Sequence, residues 1–84
     1  MTASAKEIGQ RLREARISRG WTQRELADRA DTYQSNVSHW ESGRYDIYAW
    51  ALVRLAIPLG VSTDWLLGLS HASVNKSATE KTTG

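Results

Sequence analysis

Eighty-four residues without a cysteine make one domain, near the smallest size that folds without a disulfide or metal, and exclude any disulfide framework or thiolate metal site. The net charge is only +2, but eight arginines against three lysines carry the basic side, and arginine's planar fork suits phosphates and guanine edges. Arginine enrichment is more often the mark of a GC-rich genome and a solvated surface, so composition alone does not establish nucleic-acid binding.

Other classes drop out early. No run approaches the roughly 20 apolar residues of a membrane-spanning helix, and the charged start MTASAKEIGQRLRE lacks a signal peptide's apolar centre. The expected location is cytoplasmic. His39 and His71 have no ligand-spaced acidic partner, so neither a metal nor a cofactor is expected.

Strict alternation never persists beyond a few residues, which leaves an all-α reading with five helices. The first is predicted to start after Ser4, where SAKE forms a capping box between Ser4 and Glu7. Ile8, Leu12 and Ala15 give it a buried face, and Gly20 ends it. The second starts at once: in TQRE, Thr22 caps and Glu25 closes the box, with Leu26, Ala27 and Ala30 turned inward. The third, TYQSNVSHWESG, is mostly polar; Val37 and Trp40 form one narrow apolar edge and Gln34, Ser35, Ser38 and His39 face outward. Gly43 closes it.

The fourth helix is predicted from Tyr48 to Leu59, with Leu52, Leu55, Ala56 and Leu59 toward the core and Gly60 as its stop. Pro58 inside it removes one hydrogen bond and crowds the carbonyl of Arg54, which predicts a kink or an early end. Ser62 caps a short fifth helix whose Trp65, Leu66 and Leu69 are expected to pack. Trp21, Trp40 and Trp65 are assigned to the core. Residues 70–84 have Val74 as their only large apolar group and are expected to form a polar flexible tail or linker after a domain spanning 1–69.

Two short helices joined by about three residues, the second held by one edge, describe a helix-turn-helix. Ala27 supplies the small residue at the crossing. Asp31 supplies the turn, at a place where the backbone must turn left-handed and glycine is the easier choice. A helix lying in a DNA major groove needs this division between one buried edge and a polar remainder.

With those residues in place, the chain resembles the phage-repressor/Cro type of helix-turn-helix DNA-binding domain, the XRE type. The matching stretches are IGQRLREARISRGWTQRELA, SNVSHWESG and LVRLAIPLGVSTDWLLG, in register from Ile8 to Gly68. The resemblance implies a compact, lambda-repressor-like five-helix bundle that binds double-stranded operator DNA as a homodimer and regulates transcription, most simply as a repressor. It implies base contacts from Gln34, Ser35, Ser38 and His39, with Gln34 suited to adenine N6 and N7. It implies phosphate contacts from Gln23, Asn36, Ser42 and Arg44, and a bridge from Arg16 to Glu41 with the arginine also near phosphate. Bland roles stand beside these: Gln23 as a helix-start residue, Arg16 as a bridge alone, Ser38 as a solvent-facing side chain.

Two positions depart from the family pattern. Tyr33 stands where a serine or threonine normally caps the reading helix; either Thr32 caps one residue earlier, or Tyr33 aims its hydroxyl at a phosphate. Ile47 stands where a proline often opens the fourth helix, leaving Asp46 as the candidate cap.

Trp50, Val53 and Ile57, spaced by three and four, lie roughly opposite the core face of the fourth helix and are expected as a dimer or partner face. The alternative is that Trp50 folds over the tail or a loop. No nucleophile elbow, phosphate-cradling glycine loop, carboxylate pair or metal cluster is present, so an enzyme is not expected, and no small-molecule ligand is evident. The competing function is a protein-interaction module of the same fold, antitoxin-like or a repressor antagonist.

Overall fold

The computed structural model describes residues 3–69. These fold into five helices: α1 (Ala5–Ser18), α2 (Gln23–Arg29), α3 (Gln34–Ser42), α4 (Ala49–Leu59) and α5 (Thr63–Leu66). The expected tail at 70–84, with His71 and Val74, lies outside the described residues.

The starts of α1 and α2 follow their sequences closely. Ser4 and Thr22 each accept from the backbone N–H three residues on, while Glu7 and Glu25 reach back to the N–H of Ser4 and Thr22. Each box satisfies two of the amides that a helix start leaves unpaired. Those backbone bonds hold the Glu7 and Glu25 carboxyls below the usual carboxylate range. Ser62 caps α5 through the N–H of Trp65.

All five helices end alike. The residue after each last turn takes a left-handed backbone, and the next N–H bonds back five residues along the chain. In α3 this is Gly43 at φ 79°, with Arg44 N–H on the His39 carbonyl at 3.0 Å. In α2 the left-handed residue is Asp31 at φ 58°, with Thr32 N–H on the Ala27 carbonyl at 2.9 Å. Glycine fills the place in the other four helices, so the expected role of Asp31 as turn residue holds.

One aliphatic side chain from each helix is fully buried: Leu12, Leu26, Val37, Leu55 and Leu66. Around them α1 packs on α3 and α5, α2 packs on α3 and α4, and α4 packs on α5. Truncating one such residue to alanine costs about 2–5 kcal/mol, so no helix is dispensable to the core. Trp40 is buried, while Trp21 and Trp65 pack against the core from its edge. Trp21 also lies beneath Arg29, whose guanidinium carbon is 4.2 Å from the ring centroid.

Several expectations need correction. The fourth helix starts at Ala49 from Tyr48, and Asp46 does not cap it. Leu55, Ala56 and Leu59 are buried as expected, but Ala51 takes the fourth place and Leu52 is only partly buried, at the margin of that face. Pro58 does not end it early. The helix continues through Leu59, since the lost bond falls in the last turn and Gly60 and Val61 bond back to Ile57 and Ala56. Leu69 is exposed, because Gly68 turns the chain away after α5.

Candidate nucleic-acid interface

The α2–turn–α3 unit is set by three small features. Ala27 is buried at the crossing, Asp31 makes the left-handed turn, and Tyr33 starts α3 in extended backbone. Only Val37, Trp40 and Glu41 of α3 are buried. Gln34 and Ser35 are exposed, Ser38 and His39 half-buried, and all four lie outside the buried edge as expected.

A three-way network fixes how α3 sits. Arg16 Nε donates to Glu41 Oε2 at 2.6 Å, and Nη2 donates to Oε1 at 3.0 Å. Gln23 Nε2 adds a third donor to Oε1 at 3.1 Å, and Arg16 Nη1 holds the Trp21 carbonyl at 2.7 Å. The Arg16 and Glu41 side chains are only 12% and 5% exposed. A bidentate pair removed from water in this way is strong only while its polar atoms are matched, and here each Arg16 nitrogen and both Glu41 oxygens have a partner. The network joins the end of α1, the start of α2 and the last turn of α3.

Its composition changes the reading of two residues. Arg16 forms the bridge, and each of its three side-chain nitrogens already donates within the chain. Gln23 commits its amide nitrogen to Glu41, a contact between residues eighteen apart that sequence alone did not suggest. Around the network, Arg13, Arg16, Gln23, Ser38, Glu41 and Ser42 line a shallow depression; Arg13 is exposed there and was not singled out in the sequence.

A second support went unseen. Gly9, inside α1, lies against the α3 backbone, where an added Cβ would collide with the Trp40 carbonyl oxygen and approach that of Glu41 to 2.6 Å. The available signal was a glycine in the interior of an otherwise good helix former.

At its N-terminus α3 has no side-chain cap. Thr32 does not supply one: its hydroxyl accepts from Asn36 Nδ2 at 2.9 Å, which also engages half-buried Asn36. Tyr33 is 77% exposed, its ring projecting into solvent. The Asn36 and Val37 amides bond to the Tyr33 carbonyl, which leaves those of Gln34 and Ser35 at the positive end of the helix dipole, an arrangement suited to phosphate. At the other end, Ser42 Oγ donates to the His39 carbonyl at 3.0 Å. The Arg44 guanidinium lies 5.5 Å from the Tyr45 ring centroid, and that ring is perpendicular to the His39 imidazole.

The apolar stripe on α4 is separate from this face. Trp50, Val53 and Ile57 are 49%, 51% and 75% exposed. The Trp50 ring stacks on Tyr48 at 5.8 Å and carries the Arg54 guanidinium at 5.0 Å. Among the described residues no cluster of His, Cys, Asp or Glu is placed to hold a metal, and no helix is long and apolar enough to cross a membrane.

The same geometry recurs in known proteins. The HTH-type transcriptional regulator ImmR of Bacillus subtilis (strain 168) is 38% identical over 66 residues, covering 79% of this chain and 52% of ImmR. The chain thus spans about half of that relative. The restriction-modification controller protein C.AhdI from Aeromonas hydrophila superposes with a TM-score of 0.71 at 31% identity, covering 74% of this chain and 94% of that one. SinR, the master regulator for biofilm formation, solved in complex with DNA, gives a TM-score of 0.69 at 31% identity, covering 71% and 97%. A model of the helix-turn-helix domain family matches residues 9–70, across the turn, both helices and the network that seats them. The chain belongs to the helix-turn-helix domain family.

Proposed function

We propose that this protein is a sequence-specific double-stranded DNA-binding regulator of transcription, acting as a repressor from the cytoplasm. One observation carries the reading: α3 is buried along Val37, Trp40 and Glu41 alone, while its opposite edge and uncapped N-terminus are left to a partner. Phosphate contacts from the Gln34 and Ser35 amides, Tyr33, Asn36, Ser42, Arg44 and the backbone N–H of Gln23 fix the register, and Gln34, Ser35, Ser38 and His39 read base edges in the major groove. Arg16 acts chiefly by holding Glu41. Bound protein then acts by occupancy, excluding polymerase. The likeness to ImmR, a transcriptional regulator, and to SinR in its DNA complex supports this reading.

Two copies joined through Trp50, Val53 and Ile57 would present reading helices to successive major grooves, about 34 Å apart. Molar mass in solution tests that part: a strict monomer at high concentration, alone and on DNA, refutes it. The main test is selection from randomised duplex DNA, repeated with Gln34→Ala and His39→Ala. Enrichment of a palindrome that loses definition at particular positions in the variants supports base reading by α3. Weak binding without a motif would transfer the face to a protein partner.

A further inference from the structure

The geometry points to Tyr45 as a positioning residue for the reading helix: its ring orients the His39 imidazole and the Arg44 guanidinium together. The inference rests on α3 being the DNA-reading element. After α3, left-handed Gly43 reverses the chain and Arg44 N–H bonds to the His39 carbonyl. The reversal brings Tyr45 beside His39, six residues earlier in the chain and in the last turn of α3. Their ring centroids are 5.2 Å apart with planes at 87°, an edge-to-face pair. The Arg44 guanidinium lies 5.5 Å from the same ring.

Tyr45 is 51% exposed and outside the core cluster, so packing of the domain does not explain its placement. What it touches is the pair of side chains at the C-terminal end of the reading face. An imidazole on a surface helix is otherwise free to rotate, and a base contact made by a freely rotating ring discriminates poorly. Ordering it before binding removes that entropy from the association step. The same ring carries the Arg44 guanidinium, a phosphate contact on the proposed reading, so one residue orients a base-reading and a register-setting side chain.

The test uses the full chain with Tyr45→Phe, Tyr45→Ala, His39→Ala and the Tyr45→Ala/His39→Ala pair, each put through duplex selection and then titrated against the duplex the wild type selects. Tyr45→Phe should keep the wild-type preference. Tyr45→Ala should blur the same base position as His39→Ala and weaken binding roughly threefold to tenfold, the size one aromatic pair supports. At that base position the double variant should lose no definition beyond His39→Ala. Thermal melting of each variant verifies that it is folded, and Tyr45→Leu serves where Tyr45→Ala is not. A uniform loss across sequences, unchanged definition at that position, or failure of Tyr45→Phe to rescue overturns the positioning role while leaving DNA reading intact. If the wild type selects no motif, the DNA reading fails first and this inference fails with it.

Discussion

Helices α1 and α2 begin on a hydroxyl, and α3 and α4 begin on a tyrosine. The first pair close their own starts: Ser4 with Glu7 and Thr22 with Glu25 satisfy each other's amides inside four residues of chain. The second pair start on Tyr33 and Tyr48 with no side-chain cap at all. The difference separates elements that are complete within the chain from elements that leave polar backbone for something outside it. The unfinished α3 buries two apolar side chains, Val37 and Trp40, and is also held from α1 by Arg16 on Glu41 and by the close approach of Gly9.

Four experiments sharpen or break that contrast. The largest effect is expected from Glu41→Ala, which strands the Arg16 guanidinium in a nearly dry site and should cost about 3–5 kcal/mol, read from urea unfolding. A loss below about 1 kcal/mol would mean that α3 is seated by its apolar edge alone. Next come exchanges of the two kinds of start. Thr22→Ala should destabilise by about 1 kcal/mol, whereas Tyr33→Ser should stabilise by about 0.5–1 kcal/mol and weaken duplex binding, because the new cap claims an amide. Equal, opposite or absent effects would erase the distinction. Smaller again, Asp31→Gly should raise stability by about 0.5 kcal/mol, relieving the one non-glycine among the five left-handed closures. The exposed Arg54–Asp31 pair, at 3.7 Å, is too weak to offset it.

The smallest effect concerns pH. Glu7 and Glu25 ionise more readily folded than unfolded, so their contribution is fully present above the ordinary carboxylate range and lost as pH falls through it to the folded value. Glu7→Gln and Glu25→Gln should each flatten the acid limb of the melting temperature plotted against pH. An unchanged limb would assign acid sensitivity to other carboxylates.

The same contrast governs what was legible in the sequence. Ser4, Thr22 and Ser62 could be read because a cap and its partner lie within one turn. The buried leucines and Val37 could be read because helical spacing carries them. Thr32 and Asp46 were poor choices as caps for the reason that α3 and α4 have none, and polar residues near a helix start invite the assignment. Leu52 and Ala51 differ by one step round a helix, and the neighbours that decide between them come from other elements. Gln23 meeting Glu41, Gly9 meeting the α3 backbone and Tyr45 meeting His39 all depend on how the chain is folded in space. Each identity was visible; none of the pairings was.

On α3 the residues that hold the helix and the residues that face outward scarcely overlap. Gln34, Ser35 and Ser38 make no side-chain hydrogen bond within the described chain, while Val37, Trp40 and Glu41 carry the anchoring. On the proposed reading, a gene encoding this domain can therefore change its target site through single codon changes at three positions that take no part in seating the helix. Divergence of binding preference among duplicated copies would then be limited by selection on the sites they meet and hardly at all by the need to stay folded.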